Sequence, residues 1–258
     1  MKLIFLGTGT SFGVPQIGCE CSVCRSTDPR DKRTRVGAVV QADGTSLLID
    51  TPPELRLQLI ANGVNSVDAV LFTHDHADHT HGLDDIRAIS VLRGSPLPLY
   101  GPAETLTSLH QKFPYVFDKT IRPQPGTSKP EGTASSLEPG VATRIGALDV
   151  IPLAVPHGAM RVFGYRVGLV GYVTDAKMIP DEAVALLSGV KVLVLNALFH
   201  ESHPTHLSFG EAVAVSRRIG AEQTFLTHIT HNDAHADLEA SLPAGVYPAF
   251  DGLQVTVD

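Results

Sequence analysis

The sequence predicts a mixed α/β fold. Three observations support this prediction: short apolar runs alternate with helix-patterned segments, 43% of the residues are hydrophobic, and only 18% are charged. Such a composition is typical of a globular protein that buries a full core, not of a disordered chain. We expect one domain over residues 1–258, because this length suits a single α/β domain and no repeat or linker divides the chain.

Strands are predicted where aliphatic and β-branched residues are bounded by Gly, Pro, Asn or Asp. The predicted strands are 3–6, 36–41, 46–49, 69–73, 148–155, 162–168, 191–195, 223–227 and 253–257.

Helical spacing of apolar residues predicts five helices. They are 53–62, 82–92, 102–112, 180–188 and 208–219. The last begins after Ser208, with Glu211 three residues on, which is the pattern of a capping box. Residues 118–140 are rich in Pro, Gly and Ser and are predicted to form a surface loop or an edge insertion.

The charge and the apolar runs limit the classes of partner. A net charge of −7 argues against a general nucleic-acid binder but not against a small anionic substrate held at a metal. No apolar run approaches the ~18 residues of a membrane span, so no membrane partner is expected. The apolar segment 3–6 is too short for a signal peptide, and a cytoplasmic location is therefore predicted.

Eleven of the twelve histidines fall into four groups. Each group lies at the end of a predicted strand or in the loop after it, where α/β proteins place their chemistry. The groups are His74, His76, His79 and His81; His157; His200, His203 and His206; and His228, His231 and His235.

The segment THDHADH is the most specific motif of the chain. His74 directly follows the predicted strand 69–73, and His76, Asp78 and His79 lie in the loop after it. Imidazole and carboxylate ligands suit zinc, manganese or iron better than calcium or magnesium. The segment therefore predicts a metal site.

This segment resembles the signature of the metallo-β-lactamase superfamily, and the order of the other motifs is similar along nearly the whole chain. The resemblance implies an αββα four-layer sandwich with two catalytic divalent metals, zinc or manganese, at one edge. It implies that one metal is held by His74, His76 and His157, and the other by Asp78, His79 and His228. It further implies that Asp175 bridges the two metals and that Asp50 orients the histidine loop from behind.

Four further motifs narrow the resemblance. GCECSVC, HGLDDIR, HPTHLS and LTHITH are together similar to the phosphodiesterase branch. That branch includes the bacterial enzyme of phosphonate breakdown that opens phosphoribosyl 1,2-cyclic phosphate. It lies close to the transfer-RNA 3′-processing endonucleases and to a protein of pyrroloquinoline quinone synthesis.

The resemblance implies a phosphodiesterase that hydrolyses a small cyclic or nucleotide-like phosphodiester. A hydroxide activated by the two metals would attack phosphorus, with Asp78 as both ligand and acceptor that orients the nucleophile. His206 is expected to protonate the leaving oxygen, and His203 remains the alternative. The expected partner is a small phosphodiester; the sequence leaves open whether two copies form a homodimer.

Three other functions compete with this reading. A transfer-RNA 3′-processing nuclease would use a basic arm, and residues 118–140 carry no net basic patch. A non-hydrolytic accessory protein, like the quinone-pathway member, is disfavoured by the intact ligand motifs. A hydrolase of lactam or carboxyl substrates is disfavoured because the cysteine cluster and HPTHLS are not β-lactamase features.

Cys19, Cys21 and Cys24 are the only cysteines, and three thiols cannot all pair as disulfides. In a reducing compartment such a cluster is more typical of metal binding. A structural zinc needs four ligands, so a histidine or carboxylate must come from elsewhere in the chain. The resemblance places this ligand at His231, which implies one structural zinc held by three cysteines and a histidine.

Overall fold

The computed structural model describes all 258 residues and places fourteen strands in two sheets. The strands are β1 (Lys2–Gly7), β2 (Gly37–Ala42), β3 (Thr45–Ile49), β4 (Ala69–Leu71), β5 (Leu97–Gly101), β6 (Gly132–Ser136), β7 (Thr143–Ile145), β8 (Leu148–His157), β9 (Met160–Val167), β10 (Val170–Val173), β11 (Val192–Asn196), β12 (Gln223–Thr227), β13 (Val246–Pro248) and β14 (Gln254–Thr256).

Nine α-helices and two short 3₁₀-helices, Pro29–Asp31 and Leu83–Asp85, connect the strands. The α-helices are α1 (Ser22–Arg25), α2 (Leu55–Ala61), α3 (Ala77–Thr80), α4 (Ile86–Arg93), α5 (Ala103–Lys112), α6 (Pro114–Phe117), α7 (Asp181–Leu187), α8 (Phe209–Ile219) and α9 (His235–Ser241). None of these helices has the length and apolar character needed to cross a bilayer.

The first sheet has the order β14-β1-β2-β3-β4-β5-β6, and the second has the order β13-β12-β11-β10-β9-β8-β7. In each sheet a run of antiparallel strands continues into a parallel run: β3 to β6 in the first, and β10 to β13 in the second. Each parallel step requires a crossover, and all six of these crossovers contain at least one α-helix.

Three apolar clusters define four layers. One cluster lies between the sheets and includes Phe5, Tyr165 and Phe225. A second packs α2, α4, α5 and α6 on the outer face of the first sheet, and a third packs α7, α8 and α9 on the outer face of the second. The predicted αββα sandwich is therefore confirmed.

All nine predicted strands are present, with ends within two residues of the prediction. The predicted helices are also present, and Ser208 and Glu211 form the capping box expected at α8. The segment 82–92 divides into the 3₁₀-turn Leu83–Asp85 and α4.

The prediction was incomplete at sheet edges and for short strands. Residues 118–140 are not all loop, because Gly132–Ser136 pairs with β5 as the parallel edge strand β6. Its polar sequence GTASS gave no apolar signal, since an edge strand needs little burial. The strands β5, β7, β10 and β13 were also missed, as they contain only three to five residues each.

The parallel runs determine where the polar motifs meet. Asp50 follows β3 and the THDHADH segment follows β4, whereas Asp175 follows β10 and His228 follows β12. Carboxyl ends of parallel strands share one edge of a sheet. Both sheets thus deliver their polar loops to one edge of the sandwich.

Candidate metal centre

The histidine loop is fixed by the loop that follows β3. The backbone N–H of Thr51 donates to the carbonyl oxygen of His79 at 2.8 Å, and that of Gly82 donates to the carbonyl oxygen of Thr51 at 2.8 Å. A Cβ at position 82 would lie 2.0 Å from the carbonyl oxygen of Pro52, so only glycine permits this approach. The glycine of HGLDDIR therefore holds the two loops together.

Three polar residues of the site have left-handed backbone conformations. The φ values are 62° at Asp50, 57° at Asp175 and 58° at His228, and only one other non-glycine residue in the chain has a positive φ. Such a conformation is strained and tends to occur where a side chain must be held in a particular direction. Each of these residues follows a strand, and the turn directs its side chain into the site.

The structure brings the predicted ligands together as two trios of side chains. His74, His76 and His157 form the first trio. Asp78, His79 and His228 form the second. Within each trio the potential ligand atoms lie within 4.8 Å of one another.

Asp175 lies between the two trios. Its Oδ1 is 3.4 Å from Nε2 of His79, and its Oδ2 is 3.5 Å from Nε2 of His228 and 4.0 Å from Nε2 of His74. One carboxylate thus reaches members of both trios.

Four buried ring nitrogens of the trios lack hydrogen-bond partners. They are Nε2 of His74, Nε2 of His79, and both ring nitrogens of His228. A buried polar atom without a partner costs about 1–3 kcal/mol, so such a concentration of them calls for a compensating ligand. Imidazole and carboxylate donors converging on one point fit divalent zinc, manganese or iron.

The electrostatics of the centre also favour a cation. Burial alone would raise the pKa of Asp175, but His228, His79 and His206 outweigh it and hold that pKa well below its usual range. Burial lowers the pKa of His74, and the neighbouring His79 adds to the effect. Asp175 is therefore ionised and His74 neutral, as metal ligands must be. Burial lowers the pKa of His79, but Asp175 and Asp50 outweigh it and raise that pKa well above its usual value, so a metal bound there would displace a proton from His79.

Asp50 contacts the second trio from the protein interior. Its Oδ2 accepts a hydrogen bond from Nδ1 of His79 at 2.7 Å and another from Oγ1 of Thr73 at 2.8 Å. Its Oδ1 accepts from the backbone N–H of Thr73 at 2.8 Å. Because a carboxylate oxygen accepts, Nδ1 of His79 is the donor to Asp50, and Nε2 is the ring nitrogen that faces Asp175.

The loop before α8 brings a further histidine to the centre. Nε2 of His206 is 3.1 Å from Oδ2 of Asp175, and its Nδ1 is 2.8 Å from Oγ1 of Thr205. The ring of His203 is its neighbour, with the two ring centroids 5.4 Å apart. Of the two histidines that the sequence left as alternatives, His206 is the one that contacts Asp175.

Two residues that the sequence analysis did not identify position members of the trios. Oγ of Ser11 donates a hydrogen bond of 2.7 Å to Oδ2 of Asp78. The backbone carbonyl oxygen of Thr205 accepts one of 3.0 Å from Nδ1 of His157. Ser11 lies in no motif, and Thr205 lies within HPTHLS, where only the histidines had been considered as site residues.

Not every polar residue of the histidine groups reaches the site. Asp75 faces outward and pairs with Ser108 and Lys112, and His81 packs against Phe113. Similarly, His200 pairs with Asp233 at the surface, and His235 is buried beside Arg33.

The three cysteines form a separate cluster with His231. Nδ1 of His231 is 3.4 Å from Sγ of Cys19, 3.3 Å from Sγ of Cys21 and 3.6 Å from Sγ of Cys24. The backbone N–H of Cys24, together with His231, lowers the pKa of Cys21 to about 6. Burial raises the pKa of Cys24 to about 11. Three thiols around one imidazole nitrogen match the donor set of a structural zinc site.

Comparison with known proteins shows which family the chain matches and which proteins it resembles. Residues 45–229 match the family model described as a beta-lactamase superfamily domain. The chain is 37% identical to an octanoyltransferase of Porphyromonas gingivalis over 261 residues, covering 100% of this chain and 52% of that protein. It is 31% identical to coenzyme PQQ synthesis protein B of Rhodopseudomonas palustris over 172 residues, covering 60% of this chain and 53% of that protein. The chain thus spans about half the length of the curated relatives it matches.

A solved structure resembles the chain over its whole length. The crystal structure of a diphosphatase from the PhnP family superposes with a TM-score of 0.91 and 38% sequence identity, covering 100% of this chain and 98% of that one.

Proposed function

The chain belongs to the beta-lactamase superfamily, and we propose that within it the protein is a metal-dependent phosphodiesterase. Its substrate is a small cyclic or nucleotide-like phosphodiester. One observation carries the proposal: Asp175 lies between two trios of metal-ligand side chains, five of the six buried, and four of their buried ring nitrogens have no hydrogen-bond partner. The similarity to a PhnP-family diphosphatase over the whole chain supports chemistry at phosphorus.

Two divalent metals, zinc or manganese, would be held by the two trios and by Asp175. When bound, such a pair lowers the pKa of water and offsets the charge that develops on the phosphoryl oxygens. Asp78 has a second role in this proposal, because its carboxylate can also accept a hydrogen bond from the attacking water and so orient it.

Hydrolysis breaks the bond between phosphorus and the leaving oxygen, and the leaving oxygen then needs a proton. His206 is proposed as the donor, through Nε2, which faces Asp175 at 3.1 Å. Thr205 contacts Nδ1 of the same ring and fixes its orientation. His203 is the weaker candidate, because its Nδ1 contacts Thr205 and the histidine that contacts Asp175 is His206.

Cys19, Cys21, Cys24 and His231 are proposed to hold one structural zinc. The site would join the N-terminal loop to the segment after β12, only three residues beyond His228. It would therefore brace a ligand of the catalytic centre while contributing to folding stability.

The names of the relatives leave two other functions to be separated. Diphosphate cleavage, the activity of the PhnP-family diphosphatase, also proceeds at phosphorus and suits the same residues. One relative is named an octanoyltransferase, but this chain covers only 52% of that protein. All three thiols of the chain lie around His231 and outside the proposed catalytic centre, so none is placed there to carry an acyl group.

A substrate panel with metal analysis tests the proposal. The metal-loaded protein is assayed with cyclic ribose phosphates, cyclic mononucleotides, nitrophenyl diesters, a dinucleoside diphosphate and a precursor transfer RNA. We expect turnover of small diesters. Cleavage of the diphosphate alone would identify a diphosphatase. Cleavage of the RNA alone, with a steep dependence on salt concentration, would identify a transfer-RNA processing nuclease. No turnover at full metal occupancy would refute the phosphodiesterase assignment.

A further inference from the structure

A cavity of about 270 Å³ borders the proposed catalytic centre at His206 and His228. The loop after β1 contributes Thr10, Ser11, Phe12 and Gln16 to its wall, and Leu198, Phe199 and the segment after β12 contribute most of the rest. This volume lies just below the ~300–1,000 Å³ of typical ligand pockets, so it has room for one compact group and not for a polymer.

Phe12 on this wall is unusually exposed for a large aromatic side chain. Its relative exposure is 73%, and it belongs to a segment anchored at both ends. Ser11 donates to Asp78 at one end, and the backbone N–H of Gln16 contacts Sγ of Cys24 at the other. The ring is therefore held in water, at the mouth of the cavity, by a segment that is itself fixed to both metal-ligand clusters.

The lining of the cavity is uncharged apart from its histidines. Its polar side chains are hydroxyls and amides, and no lysine, arginine, aspartate or glutamate contributes to it. The side-chain amides of Gln16 and Asn232 make no hydrogen bond within the protein. In contrast, a larger cavity of about 620 Å³, which borders the centre at His74, is lined by Glu104, Glu138 and Arg161 among others.

We propose that the smaller cavity binds the nucleobase of a nucleoside-bearing phosphodiester, with Phe12 as the stacking residue and Gln16 and Asn232 as hydrogen-bonding residues. The inference rests on the proposed function, since the phosphodiester is taken to be the substrate. An exposed aromatic ring offers a stacking face to any base, and free amides match the donor and acceptor edges of bases. The uncharged lining favours a neutral ring over an anionic group.

The absence of tryptophan from the chain permits a direct binding test. The variant F12W introduces a single tryptophan at the cavity mouth, and I17W is the matched control. Ile17 lies on the same loop, is fully exposed and does not line the cavity. We expect adenosine to quench the fluorescence of F12W saturably and ribose not to do so, with I17W unresponsive to either. Equal responses of F12W and I17W, or a response of F12W to ribose, would overturn the proposal.

Kinetics of the metal-loaded protein provide the second measurement. F12A should raise KM for a nucleoside 5′-nitrophenyl phosphodiester between about fivefold and a hundredfold, with a smaller effect on kcat, because stacking contributes to ground-state binding. I17A should change neither constant. An unchanged KM in F12A would overturn the proposal. Light scattering measures whether F12A dissociates a dimer of the chain. Dissociation with an unchanged KM would mean that Phe12 contacts a second copy and not a nucleobase.

The two measurements also separate this inference from the proposed function. Saturable binding of adenosine by F12W without turnover of any diester would refute the phosphodiesterase and leave the nucleobase site standing. Turnover of diesters without binding at F12W and without a change of KM in F12A would refute the nucleobase site alone.

Discussion

Nδ1 of His79 lies 2.7 Å from Oδ2 of Asp50, and neither side chain is exposed to solvent. Burial raises the pKa of Asp50, whereas His79 and Thr73 lower it, and burial prevails. Burial disfavours the charge of Asp50, and its hydrogen bonds to Thr73 and His79 hold the carboxyl group in one position. Asp50 thereby links the core of the first sheet to the proposed metal site.

Asp50→Ala should weaken metal binding by about 10- to 100-fold, because outer partners of ligating histidines contribute about that much to affinity. Asp50→Asn should lose less, as its carbonyl oxygen can still accept from Nδ1 of His79. Competition with a chelator measures the affinity. Asp75→Asn is the matched control, since Asp75 lies in the same motif but pairs with Lys112. Unchanged affinity in a folded Asp50→Ala protein would contradict the proposed role.

His206→Ala should reduce turnover of a diester with a poor leaving group by about 10²–10⁴, the usual contribution of a positioned acid. The loss should be much smaller on an activated nitrophenyl diester, whose leaving group needs little protonation. His203→Ala serves as the comparison and should show no such dependence on the leaving group. Equal losses on both substrates would rule out proton donation by His206.

His231→Ala should release one equivalent of zinc and lower the melting temperature by at least about 4 °C, which corresponds to a loss of ~1–2 kcal/mol in a domain of this size. Activity should fall only indirectly, through His228. Metal analysis and thermal unfolding provide the readouts, with His200→Ala as a control at an exposed histidine. If the variant retained all of its zinc, the assignment of His231 as a ligand would be wrong.

Ser11→Ala should weaken metal binding about tenfold, because it removes a hydrogen bond to the ionised carboxylate of Asp78 at a partly exposed position. Ser11→Thr keeps the hydroxyl and should restore most of the affinity. A merely structural role would lower the melting temperature in Ser11→Ala without changing the affinity for metal. That result would remove Ser11 from the site.

The apolar strands predicted the mixed α/β class because they carry a strong periodic signal, whereas the αββα layering was implied by the family resemblance. It did not predict β6, whose polar residues pair at a sheet edge, or β10, which has only four residues. The apolar signal weakens where a strand is short or little buried.

The site was predictable to the extent that its residues stand in motifs. The residue types and spacing of THDHADH and of the three cysteines predicted metal binding directly, and the resemblance to a family supplied Asp175 and His231. The hydrogen bond of Ser11 and the left-handed turns at Asp50, Asp175 and His228 were not predictable, because they arise from tertiary contacts between distant segments. The choice between His203 and His206 likewise needed the position of Asp175.

Stepwise reconstitution of the metal-free protein tests the central claim most directly. Zinc, which suits both the thiolate site and the histidine sites, is added by equivalents, and hydrolysis of a phosphodiester is measured against the metal bound per chain. The account predicts binding of three equivalents in total, with turnover appearing only as the two sites around Asp175 fill. Full turnover in the metal-free protein, or three bound equivalents without turnover of any diester, would contradict it.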